Sequence, residues 1–145
     1  MIEQNETARP GDGLDWSAVL DSLPFNADGL LPAIAQQHDS NEVLMLAWMN
    51  REALEETLQT GRVCYYSRSR GTLWRKGESS GQVQYLRELR LDCDGDTLLL
   101  RVDQQGPACH TGRRTCFYNV VQGDRLVVSE PPQVDPQALY GDSRN

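Results

Sequence analysis

At 145 residues the chain is long enough for one domain with a core of its own and too short for two ordinary ones. Its composition, 39% hydrophobic, is that of a soluble globular protein, and its longest uncharged apolar run, residues 43–49, is far too short to cross a bilayer, so no membrane partner is expected. A net charge of -7 argues against a nucleic-acid polymer as partner, because phosphate backbones are held by basic surfaces.

In chain order, residues 1–13 read as a flexible N-terminal tail with few apolar side chains. No basic segment followed by an apolar one marks a secretory signal there, so the thiols are expected reduced and the protein cytoplasmic. Residues 14–23 have the apolar spacing of a helix closed by Pro24. Two short apolar runs, 29–37 and 42–49, are separated by His-Asp-Ser-Asn and read as strands joined by a turn. Asn50 is a good N-cap for a helix over 51–60, with Leu54 and Leu58 on one face and Gly61 at its end. Strands are expected over 63–67, over 82–93 with a hairpin partner at 97–102, over 115–121, and at an edge over 124–128; residues 129–145 read as a loose C-terminal tail. The expected fold class is α+β: a strand-rich, mainly antiparallel sheet with one firm helix at about 51–60, in a single domain spanning 14–128.

Two stretches carry chemistry. Between residues 61 and 90, seven basic residues face two acids, a net of +5 that leaves -12 for the remainder, which suits a small anionic ligand. Within it, residues 67–81 hold four serines, three glycines, three arginines and a lysine, the parts from which phosphate sites are built. The Gly-x-x-x-x-Gly-Lys-Ser order of a triphosphate loop is absent; a solvated basic loop is the alternative, against which the density of serine and glycine counts.

The second stretch, 92–116, packs three thiols, an imidazole and four carboxylates into 25 residues. Cys93, Cys109 and Cys116, with His110 beside the second, suit zinc, whereas Asp92, Asp94 and Asp96 suit a hard ion such as magnesium. If 86–94 is extended, Cys93 faces away from Asp92 and Asp94, so one zinc is not easily shared by the thiol and its neighbouring acids. An acidic hairpin tip in solvent accounts equally for the aspartates, since Asp-Gly between apolar runs is a hairpin signal. A three-ligand zinc site leaves one position open for water, the catalytic arrangement.

The runs EVLMLAWMN (42–50), YYSRSRGTLWRKGESSGQ (65–82), LDCDGD (91–96) and GPACHTGRRTCF (106–117), in this order, closely resemble phosphoribosyl-AMP cyclohydrolase. The resemblance covers residues 29–118 and implies the monofunctional form, because no fused pyrophosphatase domain follows. It implies zinc-assisted hydrolytic opening of the adenine ring of 1-(5-phosphoribosyl)-AMP at the N1–C6 bond, a near relative of adenine deamination with a different leaving group. It further implies an intertwined homodimer in which Cys93 of one subunit joins Cys109 and Cys116 of the other on zinc, with Asp92, Asp94 and Asp96 on magnesium. His110 is then a candidate general base or proton donor to N1, since a ligand role would close the site. Ser67, Arg68, Ser69, Arg70, Lys76, Ser79 and Ser80 are candidates for the two substrate phosphates, with Arg113 and Arg114 as further ones and Trp74 as a surface for the purine. Cys64 reads as a buried thiol without metal. The rival readings are a structural-zinc binding protein and a zinc nucleobase deaminase, whose His-x-Glu and Pro-Cys-x-x-Cys signature is absent.

Overall fold

The computed structural model of the chain describes residues 1–140. Its strands are β1 (Leu31–Gln37), β2 (Val43–Met49), β3 (Cys64–Ser67), β4 (Thr72–Arg75), β5 (Gln84–Leu91), β6 (Leu98–Gln104), β7 (Asn119–Gln122) and β8 (Arg125–Val128). Its helices are α1 (Trp16–Ser22), α2 (Arg51–Thr60) and α3 (Pro136–Tyr140), with a 3-10 helix over Ile2–Thr7. The central sheet runs β2-β1-β6-β5, and two-stranded sheets are formed by β3 with β4 and β7 with β8. All pairings are antiparallel except that of β1 with β6, so the fold is α+β and mainly antiparallel. No helix among the described residues is long and apolar enough to cross a membrane.

Strict alternation in the two central strands builds the core. Leu31, Ala33 and Ala35 of β1 and Leu98, Leu100 and Val102 of β6 are buried on one face, and the parallel register sets Ala33 beside Leu98 and Ala35 beside Leu100. Val19, Leu20 and Leu23 at α1, Leu44, Met45 and Met49 of β2, Ala53 and Leu54 of α2, and Val63, Cys64 and Tyr65 at β3 join the cluster. The end of α2 is fixed locally: the Asn50 side chain accepts the Ala53 N–H at 2.8 Å, and Gly61 stops the helix at φ 76°.

The same face ends in polar residues that are all satisfied. Tyr65 donates to Gln84 Oε1 at 2.7 Å, Gln84 Nε2 donates to Gln104 Oε1 at 2.8 Å, and the Gln104 N–H donates to Gln37 Oε1 at 3.0 Å. Buried polar groups are affordable only in such a closed set. It ties β3 to the ends of β1, β5 and β6.

Several elements differ from the sequence expectation. The basic stretch contains β4, because Thr-Leu-Trp suits a pleated surface and Gly71, at φ 65°, turns the chain back onto β3. Residues 115–118 precede β7 rather than belong to it; Cys116 N–H bonds to Leu44 O at 2.7 Å and Thr115 Oγ1 to Val43 O at 2.7 Å, which docks the segment on β2. At the N-terminus, Ile2 of the 3-10 helix packs over Gly95 beside Leu23. Residues 141–145 of the expected C-terminal tail lie outside the described residues.

Candidate metal centre

The loop after β6 folds on itself. Ala108 N–H donates to Arg114 O and Cys109 N–H to Arg113 O, both at 3.0 Å, and Gly112 N–H closes the turn on Cys109 O at 3.0 Å. Gly112 sits at φ +84°, a conformation that favours glycine, which is why Cys-His-Thr-Gly can reverse here. The turn sets Cys109 close enough to Cys116 to act on its titration. Thr111 adds a hydroxyl donated to Cys109 Sγ at 3.1 Å.

Beneath the thiols lies a buried cation. Lys76 is 4% exposed, and its ammonium donates to Ala108 O at 2.9 Å. It forms no ion pair with a carboxylate among the described residues. Burial lowers its pKa, and Cys116 and then Cys109 act in the opposite direction. Cys116 is exposed over the whole residue, yet its sulfur is crowded: burial first, then Cys109, push the thiol up to about 12, with Lys76 acting the other way. A thiol so placed keeps its proton at neutral pH, and a metal would have to displace that proton to use the sulfur as a ligand.

Cys93 does not join this pair within one chain. It is exposed past β5, in a hollow with Ile2, Asn5, Glu6, Leu91 and Asp92, whereas Asp94 and Asp96 line another with Ile2, Glu3, Leu23 and Pro24. Strand β5 ends at Leu91, so residues 92–94 lie in the turn rather than in an extended strand, and Cys93 shares its hollow with Asp92 instead of facing away from it. Among the described residues, the single group of three or more metal-donor side chains is Asp92, Asp94 and Asp96, whose ligand atoms lie within 4.8 Å of one another. Asp92 Oδ1 also accepts the Asp96 N–H at 2.9 Å, which shapes the turn. Three acceptor-only side chains this close suit a hard divalent ion.

The expected phosphate contacts divide. Arg68 and Arg70 are exposed at the β3–β4 turn; Arg70 donates to Ser67 Oγ, Ser69 Oγ is 3.4 Å from that hydroxyl, and the Arg68 guanidinium lies 4.7 Å over Trp48. Ser79 is exposed, and Ser80 accepts the Gln82 N–H at 3.1 Å. Lys76 is spent on Ala108, Arg114 is paired with Glu42 at 2.9 Å, and Arg113 donates to Glu130 O at 2.8 Å. Trp74 is half-buried against Tyr65, with ring centres 5.6 Å apart, and its indole N–H is buried with no partner among the described residues. His110 is exposed on the turn beside Cys109. Cys64 is buried, and burial, then Glu56, push its thiol up to about 12, the state of an inert thiol.

Sequence reasoning missed Thr111, Tyr65 with its glutamines, and the hold that residues 130–134 take on Gly112. The signal for Thr111 was present in its place two residues after Cys109; the others depend on contacts far apart in the chain.

The chain matches the family model described as phosphoribosyl-AMP cyclohydrolase over residues 45–118. It is 93% identical over 141 residues to the phosphoribosyl-AMP cyclohydrolase of Halorhodospira halophila, a match covering 97% of this chain and 99% of the relative. The corresponding protein of Alkalilimnicola ehrlichii is 75% identical over 140 residues, again 97% and 99% of the two chains. That of Alcanivorax borkumensis is 62% identical over 141 residues, with the same coverage.

Proposed function

Because the chain belongs to the phosphoribosyl-AMP cyclohydrolase family, we propose that it opens the adenine ring of 1-(5-phosphoribosyl)-AMP, the third step of histidine biosynthesis, as a cytoplasmic, zinc- and magnesium-dependent homodimer. Water adds at C6, the C6–N1 bond breaks, and N1 takes up a proton to give the formimino-carboxamide ribotide. The observation that carries this reading is the loop that folds Cys109 back towards Cys116, with the buried ammonium of Lys76 bound to Ala108 O next to Cys109.

Cys109 and Cys116, with Cys93 of the partner subunit, would hold zinc, and Asp92, Asp94 and Asp96 would hold magnesium. Bound zinc would supply a water acidic enough to attack at neutral pH. The dimer is favoured by the separation of Cys93 from the thiol pair within one chain, and by the exposure of Phe117, Val121, Leu126 and Val128, apolar surface that a second copy would cover.

The chain's own groups then have distinct tasks. His110 takes the proton from the water or returns one to N1. Arg68 and Arg70, exposed and without carboxylate partners among the described residues, take the phosphates together with Ser67, Ser69, Ser79 and Ser80. Trp74 borders the purine. Lys76, Arg113 and Arg114 also hold the thiol loop, each through one or two of its donors, to Ala108 O, Glu130 O, and Glu42 with Gly106 O.

The test is the ultraviolet change on mixing zinc-loaded protein and magnesium with phosphoribosyl-AMP, repeated after a chelator has stripped the metals. Ring opening that stops on stripping and returns with zinc is expected. A spectrum that never moves while zinc stays bound would leave a structural-zinc protein as the better account.

A further inference from the structure

We propose that residues 130–134 form a strap that positions the turn carrying Cys109 and His110, with Arg113 as its anchor. This rests on reading that turn as half of a catalytic zinc site. The strap lies outside residues 45–118, the part of the chain that the family model matches.

Its contacts converge on two residues of the turn. Gly112 O accepts the Gln133 N–H at 2.9 Å and the Val134 N–H at 3.3 Å. Arg113 Nε donates to Glu130 O at 2.8 Å, while the guanidinium stacks 4.1 Å over the Tyr118 ring. Ser129 closes the near end, with N–H and hydroxyl both on Tyr118 O at 2.9 and 3.1 Å. The fit at Gly112 is tight: a Cβ there would stand 1.8 Å from Val134 O, so the strap occupies the place of a side chain. Pro131 and Pro132 restrict the backbone of the segment, which lowers the entropic cost of ordering it.

These contacts reach the metal donors in one further step. Arg113 O receives the Cys109 N–H, and Gly112 N–H bonds Cys109 O, so a shift of either residue moves the cysteine and His110 beside it. None of the strap residues belongs to the hydrophobic core cluster. Loosening the strap therefore disturbs the donors while leaving the core intact, which separates positioning from general stability.

The experiment uses full-length protein. Gln133→Pro removes the N–H given to Gly112 and Gln133→Ala keeps it; Arg113→Ala removes the anchor and Arg113→Lys keeps one donor for Glu130 O. Three quantities are read: amide hydrogen exchange at Cys109 and Gly112 in the metal-free protein, zinc retention against a chelator, and kcat with KM. Gln133→Pro and Arg113→Ala should speed exchange and weaken zinc binding by about fivefold, the worth of one hydrogen bond, with kcat lowered and KM unchanged. Gln133→Ala and Arg113→Lys should resemble wild type, and thermal unfolding should be unmoved throughout. Equal exchange and zinc retention in Gln133→Pro and Gln133→Ala would overturn the strap; if Gln133→Pro does not fold, the Arg113 pair decides on the same terms. A raised KM with normal zinc retention in Arg113→Ala would put that guanidinium on substrate and overturn it as well. Should the wild type bind no zinc, the functional reading fails, and exchange alone still decides the strap.

Discussion

The ammonium of Lys76 gives a 2.9 Å hydrogen bond to the carbonyl oxygen of Ala108, and both residues are buried, Ala108 directly before Cys109. Lys76→Met keeps the apolar stem and removes the charge. Losing a charged donor to a buried carbonyl costs about 1.5–3 kcal/mol, which relief from burying an ammonium offsets in part. Thermal stability is therefore expected to change little. Zinc should nonetheless be held more weakly, because the cation facing the two thiolates is gone. Chelator competition on the purified variant measures this, and zinc held as tightly as in wild type would leave the lysine a purely structural strut.

The aspartate turn should respond to pH in a definite direction. Hydrogen bonds with Asp92 and then Asp94 hold the Asp96 carboxyl up at about 6, against an ordinary value of 3.8. Burial acts to raise Asp92, but its hydrogen bonds with Asp96 and Thr97 leave it below its ordinary value, so one proton is shared over the cluster. The folded state keeps the Asp96 proton to higher pH than the unfolded chain. Its contribution to stability is thus full below 3.8 and lost as pH rises through about 6. A divalent ion competes with the same proton, so magnesium should raise the Tm at about pH 7.5 and much less at about pH 5. Asp96→Asn should abolish the difference, and an equal shift at both pH values would remove the cluster as the magnesium site.

What the sequence made legible was whatever is set within a few residues. The Asn50 cap, the Gly61 stop and the short apolar runs of β1 and β2 are local patterns, and all are present in the fold. The turn that gathers Cys109 and Cys116 was foreseeable for the same reason, since its glycine, its thiols and its closing hydrogen bonds fall within nine residues, 108–116. Lys76 was not legible. A lysine among serines and glycines reads as a solvated phosphate ligand, and only the approach of residue 108, a span of 32 positions, buries it. The strap escaped for a like reason, because two prolines and a polar end look loose until Gly112 is known to lie beside Gln133.

Removing a single hydroxyl from the buried polar set should have a larger effect than its size suggests. Tyr65 is fully buried, and burial, then the nearby Cys116, hold its phenol well above the ordinary value, so it donates to Gln84 Oε1 as a neutral group. Tyr65→Phe leaves that oxygen without its donor in the core, a loss of about 1–3 kcal/mol. Denaturant unfolding should show the midpoint moved and the slope unchanged. Tyr65→Phe with Gln84→Leu should cost less than the sum of the two single changes, even though Gln84→Leu also takes the donor from Gln104 Oε1. Additive losses in the double variant would mean that the bond contributes nothing as a pair.

The placement of Cys93 apart from Cys109 and Cys116 allows the proposed shared site to be tested without any metal measurement. Cys93→Ser and Cys109→Ser homodimers should both be inactive, since each lacks a ligand in every site. In a mixed dimer, one site combines both altered residues and the other combines an intact Cys93 with an intact Cys109 and Cys116. Unfolding the two variants together and refolding them should therefore restore activity to about a quarter of wild type, because half the dimers are mixed and half their sites are whole. Mixing without unfolding should restore it only as fast as subunits exchange. Two variants that stay inactive after joint refolding, while wild type taken through the same cycle recovers, would mean that all three thiols act within one chain.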